Sequence, residues 1–226
     1  MSNLHLVIGN KNYSSWSLRP WLLMKHFGIP FREHMVSVAG RAYNAELKPI
    51  AGNARVPCLH LEGGFQVWES IAIMETLAEQ HPAMWPANAM ARARARSISA
   101  EMHAGFTALR TAMPMNLKLR LKGKPASPEV QRDIDRIVEI WEEARTWFAT
   151  GDGPWLFGDF SVADAMFAPV ACRFDIYNVP LPPVAAAYRD AVLAHPALQE
   201  WRAAGLQEAE AHAHYDGLAE EYGGPR

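Results

Sequence analysis

The sequence predicts an α/β domain followed by an all-helical domain. Over the first 81 residues, short apolar runs typical of strands alternate with segments of helical spacing, in the order β-α-β-α-β-β-α. After a stretch interrupted by prolines, the remaining residues have helical periodicity only. We therefore predict an α/β domain over residues 1–81, a linker over 82–90 and an all-α domain over 91–226.

Each element of the α/β domain has a local signal. Leu4–Ile8 is an apolar run typical of a buried strand, and Leu18–Phe27 has helical spacing that ends at Gly28. The other predicted elements are strands at Phe31–Val38, Val56–Leu61 and Gln66–Glu69, an ill-defined helical stretch before Ile50, and a helix at Ser70–Gln80. The pair Gly63-Gly64 predicts a tight hairpin between the last two strands, whereas the first two strands flank a helix as in a parallel βαβ unit.

The helical domain begins after Pro82 and Pro86, which interrupt the pattern of the first domain. From residue 91 the chain has few helix breakers before Pro114, so we expect one helix there. Its apolar stripe is Ile98, Met102, Phe106, Leu109 and Met113, and that of the next helix is Val130, Ile134, Ile137, Trp141, Ala144 and Phe148. We expect these two helices to pack on each other.

The last third of the chain also has helix signals. Ser161 and Asp164 have the spacing of a capping box, which predicts that another helix begins there. Tyr188–Ala194 and Leu198–Leu206 predict two more helices, separated by Pro196. A polar tail completes the chain.

Composition and charge narrow the classes of function. Half of the 226 residues are apolar, and the formal charge of −2 argues against nucleic acid as the main partner. There is no run of about 18 apolar residues and no charged-then-apolar leader, so we expect no membrane partner. Cys58 and Cys172 lie far apart without C-x-x-C spacing, which favours a reducing cytoplasm. His212 and His214 near Asp216 lack a third well-spaced ligand, so we interpret them as a solvated tail.

The most informative stretch is Ser14-Ser15-Trp16-Ser17, between the first strand and the first helix. A helix N-terminus has unpaired N–H groups and a positive potential, so a thiolate, phosphate or carboxylate is stabilised there. The turn has hydroxyls but no cysteine, so any thiolate used at this point has to come from a ligand. The alternative is that Ser15 or Ser17 only caps the helix.

Two further motifs lie at the ends of predicted elements. A cis peptide at Val56-Pro57 would leave the backbone N–H and C=O of Val56 able to pair with an extended peptide-like ligand. A trans proline at an edge strand is the alternative. Ser70, which follows Glu69 at the start of a helix, is expected to be the N-cap. The same corner could also bind the head group of an amino acid. The Glu69 carboxylate would accept its ammonium group, and the Ser70 hydroxyl and adjacent N–H groups would bind its carboxylate.

Taken together, these motifs resemble those of a cytosolic glutathione transferase. The resemblance covers nearly the whole chain and implies a thioredoxin-like first domain before the helical one. The serine-rich turn through Arg19 is similar to the signature of the zeta class, which includes maleylacetoacetate isomerases. The chain differs from the zeta pattern at Trp16, where that class has cysteine, and at Trp21, where it has arginine.

The resemblance implies that glutathione is a co-substrate and is conjugated to small hydrophobic electrophiles. A serine hydroxyl would stabilise the glutathione thiolate; we assign Ser14 to this role, with Ser15 as the close rival. The implied glutathione-binding residues are Arg55 at the glycyl carboxylate, Val56 and Pro57 at the cysteinyl backbone, and Glu69 and Ser70 at the γ-glutamyl end. The electrophile would lie over the helical domain, beside a wall whose polar face is His103, Thr107 and Arg110 and whose apolar part is Met113 and Met115. The alternative for this wall is that its apolar residues are interior packing and its polar residues are merely solvated.

The resemblance further implies a cytoplasmic homodimer that acts in detoxification and binds no metal. Two alternatives remain open: a glutathione-dependent isomerase or dehalogenase using the same site, and a non-catalytic interaction protein that keeps the fold. Thiol–disulfide exchange is disfavoured because no cysteine occupies the first turn.

Overall fold

A computed structural model describes residues 4–37, 47–149 and 153–222 of the chain. The first part contains β1 (His5–Gly9), α1 (Ser15–His26), β2 (Arg32–Val36), β3 (Cys58–His60), β4 (Gln66–Trp68) and α2 (Ser70–Gln80). The helical stretch predicted before Ile50 falls mostly on residues 38–46, which lie outside the described residues.

The four strands form one mixed sheet in the order β2-β1-β3-β4. β1 is parallel to β2, whereas β3 is antiparallel to both β1 and β4, which confirms the predicted βαβ unit and hairpin. The hairpin turn contains Gly63 and Gly64 with φ of +76° and +81°. Glycine is required there because side chains are strained in this left-handed region.

The second part is all helical. Its elements are α3 (Ala89–Ala104), α4 (Thr107–Ala112), α5 (Pro128–Trp147), α6 (Val162–Ile176), α7 (Pro183–Ala194), α8 (Pro196–Gln207), α9 (Ala213–Asp216) and α10 (Leu218–Glu221). The proposed linker at 82–90 contains one short 3₁₀ turn, Pro82–Met84, and its limits stay a prediction. In the described parts of the chain, no helix is both long enough and apolar enough to cross a bilayer.

Helix α6 is the centre of the molecule, and all its residues except Asp175 are buried. The predicted capping box is confirmed, because the Ser161 N–H donates to Asp164 Oδ2 at 2.9 Å and the Ser161 side chain meets the N3 backbone. Asp164 also accepts hydrogen bonds from the Leu156 N–H and the Tyr188 hydroxyl, each at 3.1 Å. These bonds fix the start of α6, which packs against α1 of the first domain as well as α3 and α7.

The single helix expected from residue 91 towards Pro114 is broken at Gly105 and Phe106. Phe106 adopts a left-handed φ of +59° while its side chain stays buried. A Cβ at Gly105 would lie 2.9 Å from the Glu101 carbonyl oxygen, so the chain closes more tightly at this glycine than another residue would allow. The Arg110 guanidinium donates to the carbonyls of Met102 and His103, which satisfies the end of α3.

Candidate functional site

A cavity of about 410 Å³ lies between the loops of the sheet domain and the helical domain, a size typical of small-molecule sites. Its lining residues are Tyr13, Ser14, Ser15, Trp16, Leu47, Asn53, Ala54, Arg55, Val56, Pro57, Glu69, Arg110, Pro114, Met115, Arg173 and Tyr215. Seven predicted site residues are among them: Ser14, Ser15, Arg55, Val56, Pro57, Glu69 and Arg110. Ser70, His103 and Met113 are not.

The two serines of the first turn have different hydrogen-bond partners. Ser14 occupies the N-cap position of α1 without a side-chain capping bond, and its hydroxyl donates to Ser17 Oγ at 2.8 Å. Ser17 Oγ also accepts the Gly9 N–H at 3.1 Å, so it ties α1 to the end of β1. Ser15 Oγ accepts a hydrogen bond from Arg173 Nη2 at 3.0 Å. Among the described residues no acceptor takes the Ser15 hydrogen, which a ligand in the cavity could therefore accept.

The loop before β3 forms another wall of the cavity. The Val56–Pro57 peptide bond is cis, which excludes the trans alternative. Asn53 Oδ1 accepts the Arg55 N–H at 3.1 Å, and Ala54 has a left-handed φ of +55°. Arg55 is exposed at the rim. The loop thus places Val56, beside the Arg55 cation and Pro57, on the cavity wall.

Ser70 is not the N-cap of α2 that the sequence suggested. Glu69 takes the N-cap position with a left-handed φ of +67°, and Ser70 is the first helical residue. The chain therefore turns one residue earlier than predicted, and the Ser70 hydroxyl is carried inward. Its Oγ is buried and has no hydrogen-bond partner in the described residues. A strained non-glycine residue beside an unpaired buried hydroxyl often marks a functional site.

His103 lies behind this corner rather than on the cavity wall. Its Nε2 is 3.6 Å from Glu69 Oε2, and its ring packs edge-on against Trp16 with centroids 5.3 Å apart. Burial lowers the pKa of His103, and the positive charges of Arg19 and Arg110 lower it further, although Glu69 opposes them. His103 therefore contacts Glu69 and Trp16 and is not part of the cavity lining.

Met113, predicted to contact the electrophile, lies in the core with no exposed surface. Its carbonyl oxygen accepts a hydrogen bond from Arg173 Nε at 2.8 Å. For Met113 the interior-packing alternative is therefore the better description. Met115 lines the cavity instead, whereas Thr107 is exposed at the start of α4.

Three arginines cluster beneath the serine turn, two of which the sequence did not single out as site residues. Arg19 and Arg173 are 2% and 5% exposed, and the Trp16 ring lies 4.2 Å from Arg19 Cζ and 4.6 Å from Arg110 Cζ. Arg19 Nε donates to the Met166 carbonyl at 3.2 Å, while Arg19 Nη1 and Arg110 Nε are buried without partners in the described chain. A lone arginine inside the apolar helix α6 was the signal that could have identified Arg173.

The electrostatics of this cluster are strongly positive. Burial lowers the pKa of Arg173 to about 10, with a further decrease caused by Arg110. Burial also lowers the pKa of Arg19 well below its usual value, and the charges of Arg110 and Arg173 add to that effect. Burial likewise lowers the pKa of Arg110, and Asp133 opposes the change. The cluster therefore favours a nearby negative charge.

The C-terminal tail is not the solvated end that the sequence suggested. Glu208 accepts the backbone N–H groups of Lys11 and Asn12 at 2.6 Å and 3.0 Å. Asp216 accepts the Tyr13 hydroxyl at 3.0 Å. Tyr215, which was not predicted as a site residue, lines the cavity. Acidic side chains of the tail thus accept hydrogen bonds from the loop after β1. No local sequence pattern predicts these long-range hydrogen bonds.

Two details of this tail bear on the chemistry. Burial and the bond to Asp216 raise the pKa of Tyr13 to about 12, and the hydroxyl hydrogen of Tyr13 is already donated to Asp216 rather than to a ligand. The ring of His212 stacks on Tyr215 with centroids 4.0 Å apart, and the side chain of His214 lies outside the described residues. The described residues contain no group of three side chains suited to a metal ion.

Comparisons with known proteins agree with this architecture. The family model for the glutathione S-transferase N-terminal domain matches residues 13–80, and that for the C-terminal domain matches residues 124–204. No curated protein matches the sequence.

Several solved structures have a similar fold. A glutathione transferase homolog from Burkholderia GL BGR1 with bound glutathione is 22% identical, with a TM-score of 0.68 over 92% of this chain and 100% of that one. A theta class glutathione S-transferase from Xanthomonas axonopodis pv. citri, also with glutathione, is 20% identical, with a TM-score of 0.63 over 92% and 99%. A glutathione transferase from Methylococcus capsulatus str. Bath is 23% identical, with a TM-score of 0.64 over 89% and 98%. The predicted thioredoxin-like domain followed by a helical domain is confirmed.

Proposed function

The chain belongs to the glutathione transferase family, and from this membership we propose that it binds glutathione and transfers it to small electrophiles. The observation that carries the proposal is the Ser15 hydroxyl, which is held by a buried guanidinium at a helix N-terminus and faces the cavity. This corner combines a hydrogen-bond donor, a cation and a helix dipole, three features that stabilise a thiolate.

Glutathione would lie along the sheet-domain side of the cavity. The Val56 backbone pairs with the cysteinyl residue, beside the cis bond to Pro57. Glu69, which lines the cavity, binds the γ-glutamyl ammonium, and the backbone N–H groups at the N-terminus of α2, where Ser70 is the first helical residue, bind the γ-glutamyl carboxylate. Arg55, exposed at the rim, binds the glycyl carboxylate. Each ionic group of the tripeptide thereby meets a complementary group.

We propose Ser15 as the thiolate stabiliser, ahead of Ser14. The Ser14 hydroxyl already donates to Ser17, and turning it towards sulfur would break that bond. Ser15 instead accepts from a cation, which polarises its O–H and leaves the hydrogen for sulfur. Lowering a thiol pKa by about two units needs ~2.7 kcal/mol, within reach of one charge-assisted hydrogen bond plus the helix dipole.

The electrophile would occupy the helical-domain side of the cavity, between Arg110 and Met115. The serine-rich turn supports a serine-type transferase, while Trp16 and Trp21 distinguish the chain from the zeta pattern. We further propose a cytoplasmic homodimer that acts in detoxification, with the two domains divided at residues 82–90. Neither an isomerase nor a non-catalytic role is favoured by a specific observation.

The test combines glutathione binding with turnover. We expect calorimetry to show saturable glutathione binding and the purified protein to conjugate glutathione to chlorodinitrobenzene with stoichiometric consumption of the thiol. Ser15→Ala is expected to lower kcat by about 10–100-fold, the effect of losing one hydrogen bond to a charged group, while glutathione affinity is largely kept. The matched control is Ser97→Ala, an exposed serine on α3 whose hydroxyl only donates to the Ala93 carbonyl.

Three results would count against parts of the proposal. Absence of glutathione binding at millimolar concentration would overturn the function itself. Unchanged turnover in both Ser14→Ala and Ser15→Ala would remove the serine role. Regeneration of glutathione after each cycle would indicate an isomerase.

A further inference from the structure

We propose that the electrophile this enzyme selects carries a carboxylate, which Arg110 and Arg173 bind beside the sulfur of glutathione. This inference rests on the proposed function and names the substrate class of the same cavity. It follows from the arginine cluster, defined as Arg19, Arg110 and Arg173, which has more positive charge than the described residues and the thiolate neutralise.

Among the described residues, the arginine cluster lacks a full set of counter-charges. Buried charges in proteins are normally paired, because an isolated ion in a low-dielectric interior is costly. Within the described residues none of the three guanidinium groups forms an ion pair with a carboxylate. Burial lowers the pKa of Arg110, and the negative charge of Asp133 opposes this decrease without forming an ion pair with it. Asp133 Oδ2 instead accepts the Leu109 N–H at 2.9 Å. In the part of the chain that the structure describes, Asp133 is thus the one carboxylate that acts on the cluster, and it acts on Arg110.

The thiolate of bound glutathione would add one negative charge, which still leaves the cluster with an excess of positive charge. Glu69 does not supply the missing anion, because it forms no ion pair with these arginines and is proposed to bind the ammonium of glutathione. A neutral electrophile would leave the excess positive charge of the arginine cluster unpaired. An electrophile with one carboxylate would remove it.

The geometry suits a carboxylate because the two arginines that line the cavity are held rigidly. Arg110 lies against the Trp16 ring and donates to carbonyls at the end of α3. Arg173 donates to the Met113 carbonyl and to Ser15, and its bond to the Pro169 carbonyl is long, at 3.4 Å. The remaining Nη hydrogens of these two fixed guanidinium groups can each donate a charge-assisted hydrogen bond to a carboxylate oxygen, which is stronger than a bond to a neutral acceptor.

The same contacts place the carboxylate close to the reacting atoms. Arg173 touches Ser15, the proposed donor to sulfur, so an anion on Arg173 would lie next to the thiolate. In the reaction, the thiol proton leaves to solvent, the sulfur forms a bond to the electrophilic carbon, and the leaving group departs with its electron pair. The carboxylate is unchanged and serves to orient that carbon.

A matched pair of electrophiles tests the inference. We would compare para-chloro-meta-nitrobenzoate with the corresponding benzamide, dividing each kcat/KM by the uncatalysed rate constant with glutathione. We expect the normalised value to be about tenfold or more higher for the benzoate, the effect of one charge-assisted hydrogen-bond pair. In Arg110→Gln, which keeps a donor for the α3 carbonyls but removes the charge, we expect the preference to fall towards one through a higher KM for the benzoate.

The matched control is Arg55→Gln, which removes an exposed arginine at the rim of the same cavity. It should weaken glutathione binding and keep the preference for the benzoate. As a readout independent of turnover, calorimetry on the glutathione-loaded protein should detect binding of meta-nitrobenzoate but not of meta-nitrobenzamide. That binding should be lost in Arg110→Gln.

Equal normalised rates for the two electrophiles would overturn the inference while the proposed function stands. Weaker glutathione binding in Arg110→Gln with an unchanged benzoate preference would also overturn it, because the arginines would then hold glutathione itself. Absence of glutathione binding in the wild-type protein would overturn the proposed function and this inference with it.

Discussion

Acidification should destabilise this protein through the paired imidazoles of His26 and His195. His195 is the N-cap of α8, and its Nδ1 accepts the Ala197 N–H at 3.1 Å. With that nitrogen unprotonated, Nε2 carries the hydrogen and donates to His26 Nδ1 at 2.9 Å. Phe160 packs against both rings. A second proton on His195 would break the capping bond and place a charge in an apolar setting.

The size of the effect follows from the pKa of His195. Burial, with a smaller contribution from His26, lowers this pKa from 6.5 to about 4 in the folded protein. Between these values the unfolded chain binds more protons, so the stabilisation is complete above pH 6.5 and is lost as the pH falls towards 4. The difference corresponds to roughly 3 kcal/mol. Burial also lowers the pKa of His26, which acts in the same direction.

The assay is denaturant unfolding near neutral pH and near the lower end of this range. His195→Asn keeps a good N-cap acceptor but does not titrate, so it should lose less stability on acidification than the wild type. Asp164, whose pKa burial raises to about 6, has the opposite pH dependence, so the readout is the difference between variant and wild type. The exposed His81→Asn serves as control. Equal losses in wild type and His195→Asn would refute the reasoning.

Two further predictions concern the loop after β1. Gly205→Ala should lower the free energy of unfolding by about 1–3 kcal/mol, because its Cβ would lie 3.0 Å from the Asn12 backbone nitrogen. Gly123→Ala, in open space, should leave the denaturation midpoint almost unchanged, and equal midpoints for the two variants would disprove the close approach. Asp216→Asn should weaken the bond from Tyr13 by about 1–2 kcal/mol and speed amide exchange over residues 208–222. Exchange as slow as in the wild type would contradict this.

Elements whose determinants lie close together in the chain were predicted well. The capping box of Ser161 and Asp164 spans three residues, so its spacing is visible in the sequence. The hairpin at Gly63-Gly64 depends on glycines that tolerate left-handed φ. In each case short-range chemistry decides the structure, and tertiary packing reinforces it.

Features decided by tertiary contacts were predicted less well. The stripe through Phe106 has helical spacing, yet the chain leaves the helix there while Phe106 remains buried and Arg110 satisfies the freed carbonyls. At Ser70, local propensity favours a cap, whereas the left-handed φ of Glu69 carries the hydroxyl into an unpaired buried position. Intrinsic preference is a weak guide where packing sets the backbone.

The site itself combines residues that are distant in the chain. The serine turn and the Val56–Pro57 bond could be predicted as parts of the site from the sequence. The turn places hydroxyl groups at a helix N-terminus, and the proline lies at the start of a strand. The contact of Arg173 with Ser15 spans 158 positions, and that of Glu208 with Lys11 spans 197. Such pairings depend on the packing of α6 and the tail, and a single sequence contains no periodic signal for them.

The most direct test of the thiolate mechanism is a pH titration of enzyme-bound glutathione, followed by the ultraviolet absorbance of its thiolate. We predict that the bound thiol titrates about two units below the usual value of about 8.5. Ser15→Ala should reverse the shift by about one unit or more, whereas Ser97→Ala should not. A bound thiol that titrates like the free one, or a shift that survives the loss of both Ser14 and Ser15, would contradict the account.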